Sequence, residues 1–461
     1  MVIERLFLSL RMLNERLFFA FRQVMYNLRG GFLVRPLIIA LALGCAGGLL
    51  SSLEEAIPGL GAWAPRFLFP SHADPQVAQI VLSAIAASMM TVVSIVFAIL
   101  LMSLTLASMQ FSPRIILGFA RDRVTQRTLG IFLGTFSYCV AALPAARSLP
   151  RPFAPVLTVL GAMLLAMACV AWLLFFIHHI SQAISVNHIV DKIATETEAI
   201  IDQLMPEPRR HHLMPEVSLP GPSKGEGAVL SEVSGYVLFI DVDRLLFLAK
   251  CYGVRVRVVR RVGHFVPAGI PLMMVSKAGR LSPDRDAEFR GTFALGPIRT
   301  LQEDVEFGIL QIVDIALRAI SPAVNDPSTA INCVDQLSRI LIRFASREEA
   351  TSLHYDPPGV LRVSIPWPSF DRLVEAAFDQ IRLYAKADVA VSLRMLRALH
   401  DLATTIPDSG IRQTLAKRGQ QVVAGCAQAL AEEELVRLRL RLSALEDLAI
   451  PPESPLNARS A

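Results

Sequence analysis

The sequence predicts a membrane α-helical protein of four spans with both termini cytoplasmic. A cytoplasmic α+β region follows, with a small barrel-like β module and a helical C-terminal bundle. Three observations carry that expectation. The 461 residues are 53% hydrophobic and 18% charged, with a mean hydropathy of +0.47, above a soluble enzyme and below a pure transporter. Apolar runs of spanning length are confined to the chain before residue 180, and alternating or amphipathic patterns occupy the rest. The arginines among the runs gather on one side.

The expected spans are 36–53, 77–109, 129–146 and 154–177, each near the roughly 20 apolar residues that a bilayer-crossing helix needs. Before the first lie Arg5, Arg11, Arg16, Arg22, Arg29 and Arg35, and between the second and third lie Arg114, Arg121, Arg123 and Arg127. The opposite loops hold only Arg66, Arg147 and Arg151. Positive residues stay inside, so this distribution places both termini and everything after 180 in the cytoplasm. Arg114, Arg121, Arg123 and Arg127 form a basic membrane edge facing anionic headgroups. Residues 1–32 read as a basic amphipathic helix in the inner headgroup layer, with Glu4, Arg11, Glu15, Arg22 and Arg29 aligned on one face. An ordinary helix packed on the soluble part is the other reading of that segment.

The second run is the most informative of the four. Ala87, Thr91, Ser94, Ala98 and Thr105 align on one small, hydroxylic face, opposite Val92, Val96, Ile99 and Leu100. Such a face serves close helix packing, or lines a pore in an oligomer. No Asp, Glu, Lys or Arg lies inside the four runs; Glu54 and Glu55 sit at an interface. Ion-coupled pumps and proton relays generally need ionisable groups at membrane depth, so a coupled transporter is not expected.

Domain boundaries follow the composition. The spans occupy 33–180, a connecting helix and Pro/Gly linker 181–228, the β module 229–295, a helical region with one hairpin 296–450, and a disordered tail 451–461. In the β module, "SGYVLFID" and "VGHFVPAGIPLMMV" resemble the half-motifs of barrel-sandwich hybrid domains. The carrier lysine of the biotinyl and lipoyl members is missing, so the resemblance implies a small barrel without a covalent cofactor. Six scattered cysteines show no C-x-x-C pair, and His178, His179, His188 and Asp191 lack matched ligand spacing, so no metal is expected.

The most specific stretch is "FGILQIVDIALRAISPAVNDPSTAIN", 307–332. A helix over 300–320 carries Glu303 and Asp304 in its first turn, Ser-Pro breaks it, and Asp326-Pro327 starts the next. Ser321, Asn325, Asp326, Ser328 and Thr329 are the candidate ligand contacts, since the free N–H groups of a helix start can cradle an anion. Plain capping is the competing reading. Together with "GFARDRVTQRTLGIFLGTFSY", 118–138, and "QFSPR" after the second run, this stretch resembles the domain-of-unknown-function 2254 family of predicted bacterial membrane proteins. The resemblance covers most of residues 30–345. It implies an inner-membrane protein with N-terminal spans and a cytoplasmic domain, and it brings no activity with it.

No phosphate loop, G-x-S-x-G, H-E-x-x-H or zinc spacing appears, so no catalytic residue is named and no enzyme is expected. The expected partners are the lipid bilayer, anionic headgroups at its inner face and further copies of the chain as a homo-oligomer. Neither cofactor nor nucleic acid is expected. Function is read as an oligomeric channel or passive transport protein with a cytoplasmic sensing domain, or as a membrane-anchored scaffold or sensor that recruits cytoplasmic partners.

Overall fold

The computed structural model describes residues 34–57, 74–110, 122–147, 152–183, 185–205, 225–347, 353–356 and 359–449. The basic segment 1–32, Arg114, Arg121, most of the linker and the tail lie outside them. The chain divides into two compact units, residues 1–185 and 186–461.

In the first unit, α1 (Val34–Ala56), α2 (Pro75–Gln110), α3 (Arg123–Ala142) and α4 (Val156–Ala183) are each long and apolar enough to cross a membrane. The third starts earlier than hydropathy indicates. Asp122 caps it by accepting from the Thr125 N–H, which brings Arg123 and Arg127 into its first two turns, where both are exposed. This helix is the hub: half of its span is buried, against about a fifth for the others. Its small residues explain why. Gly130 and Gly134 lie under Ile39 and Leu43 of α1, and Gly47 of α1 lies against Tyr138, where an added Cβ would meet the Tyr138 carbonyl oxygen at 2.5 Å. Lipid tails offer no hydrophobic drive between helices, so such backbone approach and buried polar bonds supply the association. Tyr138 Oη donates to the Thr158 carbonyl at 3.1 Å, and Trp172 Nε1 donates to Thr128 Oγ1 at 2.9 Å. Glu54, in the last turn of α1, is 5% exposed and accepts from the Leu157 and Thr158 N–H groups at 2.9 and 3.2 Å, capping α4.

The second unit opens with α5 (Val186–Leu204). Its strands are β1 (Gly227–Leu230), β2 (Gly235–Ile240), β3 (Val256–Val258), β4 (Phe265–Val266), β5 (Pro271–Val275), β6 (Phe293–Gly296), β7 (Leu353–Asp356) and β8 (Val360–Ser364). The expected closed barrel does not form. The strands make two separate sheets, β1-β5-β3-β8-β7 and β4-β2-β6, each with free edges. The later hairpin completes the larger sheet, since β8 pairs parallel to β3 (Val256 opposite Val363). Both sheets close instead over a shared apolar core with α6 (Val242–Cys251) and α7 (Pro283–Arg290), through Val237, Leu245, Met273 and Phe289. In and beside β3, Val254, Val256 and Val258 are buried while Arg255 and Arg257 are not, the alternation of a half-buried strand.

The remaining helices are α8 (Val305–Ala319), α9 (Pro327–Ala345), α10 (Phe370–Tyr384), α11 (Val389–Thr405), α12 (Ser409–Cys426) and α13 (Glu432–Ala449). Rather than amphipathic, α8 is buried nearly all round, including Glu306, Phe307, Gly308 and Gln311. It begins five residues later than the expected helix, with Asp304 as N-cap and Glu303 outside, at φ +57°. On its neighbour α9, Arg339 bonds Asp191 and Glu198 of α5, and Arg343 and Arg347 both bond Asp202, a ladder along successive turns. At Gly308 of α8, a Cβ would run into the Thr197 side chain of α5. Alanine ordinarily stabilises a helix over glycine by about 1 kcal/mol. Here Gly308→Ala is expected to destabilise by roughly 1–3 kcal/mol through overpacking, with Thr197→Gly restoring part of the loss. Denaturation of the two single variants and the double variant checks this coupling, and purely additive effects would remove it.

Candidate functional site

The α8–α9 corner is held by its own hydrogen bonds. Ser321 Oγ donates to the Arg318 carbonyl at 2.7 Å, and the Asp326 N–H reaches back to the Ala319 carbonyl at 2.8 Å. Asn325 turns the chain at φ +49°, a conformation asparagine tolerates better than most residues. Asp326 accepts from the Thr329 N–H at 3.2 Å and from Thr329 Oγ1 at 2.5 Å, and these bonds with the Ser328 N–H hold its carboxyl below the usual range. Ser328 and Asn325 are exposed. The structure therefore brings the five candidates together, with the oxygens of Ser321, Asp326 and Thr329 already engaged.

On α2, Ala87, Thr91, Ser94, Ala98 and Thr105 are all exposed, and their stripe runs down the middle of the face that the other described residues leave uncovered. Val96 is buried and Val92, Ile99 and Leu100 pack into the bundle on the other side. Thr91, Ser94 and Thr105 donate to the carbonyls of Ala87, Met90 and Leu101, so the hydroxyl protons are satisfied within the helix. Among the described residues no cluster of three metal-ligating side chains occurs. His179 instead bonds Asp122 at 3.1 Å, tying α4 to the start of α3.

A third constellation lies in the second unit, and sequence reading missed it. The turn between β3 and β4 carries Arg260, Arg261 and His264; the loop before α8 carries Arg299; and the first turn of α10 carries Arg372. Arg261, hydrogen-bonded to His264, converges with Arg299 and Arg372 on the buried carboxylate of Glu306. Arg261 Nη2 donates to it at 2.9 Å, Arg299 Nη2 at 3.3 Å and Arg372 Nε at 3.2 Å. Arg299 also grips Asp304 through two bonds, at 2.5 and 2.9 Å. Gly263, at φ +87°, makes this possible, because a Cβ there would strike both Asp304 and Arg299.

These residues line a cavity of about 510 Å³, together with Phe265, Leu310, Glu375, Ala376, Asp379 and Gln380. A second, mostly apolar cavity of about 330 Å³ lies beyond it, lined by Val305, Phe344, Trp367, Phe370 and others. Arg261 and Glu306 line both, so their ion pair is the partition between them. In the apolar cavity burial raises the Glu303 carboxyl, and the Trp367 indole N–H is buried without a partner.

His264 has a defined tautomer. Arg261 Nε donates to its Nε2 at 2.9 Å, so that nitrogen is bare and the neutral ring carries its proton on Nδ1. Nδ1 is buried with no partner among the described residues. Burial first, and then the charges of Arg261 and Arg260, push this imidazole down to about 4.

The model of a family described as a predicted membrane protein, DUF2254, matches residues 29–401. The chain belongs to that family. Uncharacterized proteins of Mycobacterium bovis and Mycobacterium tuberculosis are each 32% identical to it over 429 residues, 92% of this chain and 80% of theirs. No solved structure matches it. The DUF2254 range takes in the four long helices, both sheets, the Glu306 cluster and the α8–α9 corner, and it ends before α12.

Two signals in the sequence pointed to the missed cluster. Arg260-Arg261 is a doubled cation just after the alternating "VRVRV", and Glu306 falls past the Asp304 cap, at the head of the largely apolar run that follows. Two expectations follow from the geometry. Asp326→Ala removes a cap and costs about 1 kcal/mol, read by denaturation; a much larger loss would show that Asp326 does more than cap. For His264, the folded ring resists protonation until about pH 4, whereas the unfolded ring protonates near its ordinary 6.5. The unfolded state then binds more protons in that window, so this group's stabilisation is lost as pH falls from 6.5 towards 4. Asp304 and Glu303, both raised by burial, act in the opposite sense, so the informative quantity is a difference. His264→Gln should lose less thermal stability between pH 7 and pH 5 than wild type does; parallel curves would contradict the assignment.

Proposed function

We propose that the protein is an oligomeric passive transport protein of the bacterial inner membrane, with its termini and second unit in the cytoplasm, where that unit senses a ligand. The observation that carries this reading is the α2 stripe. Ala87, Thr91, Ser94, Ala98 and Thr105 form a smooth, hydroxylic, uncharged surface, and it is the surface that α1, α3 and α4 do not cover. Small residues at such spacing let helices of neighbouring copies approach closely. Hydroxyls around an axis pass solutes without any ionisable group at membrane depth. Arginines at ten positions on one side against three on the other support the orientation. No catalytic step is part of this reading.

A second reading is favoured by a different surface. On α13, Val436 is 55% exposed and Leu440 74% exposed, one turn apart on a single face. A membrane-anchored scaffold would use such a face to recruit a cytoplasmic partner.

Liposome reconstitution separates the two. Transport predicts a flux of small ions or solutes that Thr91→Leu and Ser94→Leu reduce at least about tenfold, the loss expected when bulky side chains block a packed axis. Absence of any flux at any oligomeric state defeats the transport reading. A flux-free protein whose pull-down partner is lost in Val436→Glu/Leu440→Glu supports the scaffold.

A further inference from the structure

We infer that the cavity beside Glu306 is a binding site for a small oxyanion, a phosphate- or carboxylate-bearing solute with an apolar portion. The inference deepens the sensing part of the proposed function by naming the class of ligand.

The charge inventory is the first argument. Two buried carboxylates, Asp304 at 3% and Glu306 at 7% side-chain exposure, hold the guanidiniums of Arg261, Arg299 and Arg372, and Arg260 lines the cavity beside them. Glu375 pairs with Arg372, which also bonds Glu306, and Asp379 pairs with Arg418 at 2.7 Å, so four guanidiniums stand against three carboxylates and one cation is left over. The cavity therefore carries a surplus of cationic charge inside low-dielectric walls, which concentrates anions.

The second argument is the distribution of unused donors. Arg260 has no carboxylate partner among the described residues, and its Nε is buried without an acceptor. The Nδ1 donor of His264, the next cavity residue but three in sequence, is likewise without one. A buried donor left unpaired is costly, and clustered orphans beside an opening are explained when an acceptor-only group completes them. Guanidinium groups match the planar edge of a carboxylate or phosphate with paired bonds, whereas a neutral or cationic solute would find no unpaired carboxylate here.

The third argument is the opposite wall. Phe265 is 51% exposed, held edge-on by Tyr236 with ring centroids 5.2 Å apart, and it lines the cavity with Leu310 and Ala376. A ligand with its oxyanion at the arginines would lay an apolar or aromatic part against this wall. At about 510 Å³ the space suits a small metabolite rather than a bare ion.

The test uses the full chain in detergent at constant ionic strength, with inorganic phosphate and phenyl phosphate as probes and calorimetry as the readout. Both are expected to bind saturably, phenyl phosphate more tightly. Arg260→Gln, which breaks no ion pair of the fold, should weaken both at least about tenfold, the equivalent of 1.4 kcal/mol. Phe265→Ala should erase only the advantage of phenyl phosphate. Arg255→Gln, an exposed charge outside the cavity, should change neither. No saturable binding of either probe below about 10 mM, or an equal effect of Arg255→Gln and Arg260→Gln, overturns the inference. Repeating the titration in phosphatidylglycerol and phosphatidylcholine nanodiscs identifies the source of the oxyanion. Equal affinities assign the site to a soluble ligand, and competition in phosphatidylglycerol alone assigns the same arginines to a lipid headgroup. Binding is read without flux, so failure of the transport reading leaves this result standing, and the converse also holds.

Discussion

The second unit depends on one buried carboxylate. Glu306 receives guanidinium bonds from Arg261, Arg299 and Arg372, which belong to the β3–β4 turn, the loop after β6 and the start of α10. Taking a carboxylate out of water is costly unless its lone pairs are filled, and here three cations fill them. The reverse holds as well: without Glu306, Arg261 at 14% side-chain exposure would lose the carboxylate it bonds, and Arg299 would keep only Asp304. The sheets, the core helix α8 and the C-terminal helices are thus joined by a polar contact whose geometry admits little slack. The same ion pair, Arg261–Glu306, forms the wall between the two cavities. Structural and binding roles therefore fall on the same atoms.

The first unit is assembled by different physics. Its hub α3 is held to α1 by the absence of side chains, at Gly47, Gly130 and Gly134, and to α4 by hydrogen bonds from Tyr138 and Trp172. Glu54, the one buried acid among the described residues of this unit, answers the partial positive charge at the start of α4. Among the described residues α2 packs into this bundle through Val92, Val96, Ile99 and Leu100, and its hydroxylic stripe lies on the other side.

Much of this was legible in the sequence. Hydropathy located all four long helices, because about twenty consecutive apolar residues admit few other fates. Asp326-Pro327 marked the start of α9, since an aspartate cap and a proline at the first helical position act through neighbouring backbone groups alone. The start of α3 was misplaced by six residues because its first turns are polar and Asp122 caps them in place of an apolar signal. The family, too, was readable from short motifs in the chain.

What only the tertiary structure decided is everything that depends on distant segments meeting. The β module reads locally as a barrel, but closure depends on which edges pair, and β8, about a hundred residues downstream, takes the edge of β3 instead. The helix α8 reads as amphipathic, yet it is buried nearly all round, and its Glu306 meets arginines that the chain supplies from elsewhere. The cluster of Arg260, Arg261, His264, Arg299 and Arg372 around Glu306 has no spacing that a sequence could show. Periodicity and capping are local effects over a few residues, and they determined the elements; a convergent charge site is a property of folded distances, and it appears only once the chain has closed on itself.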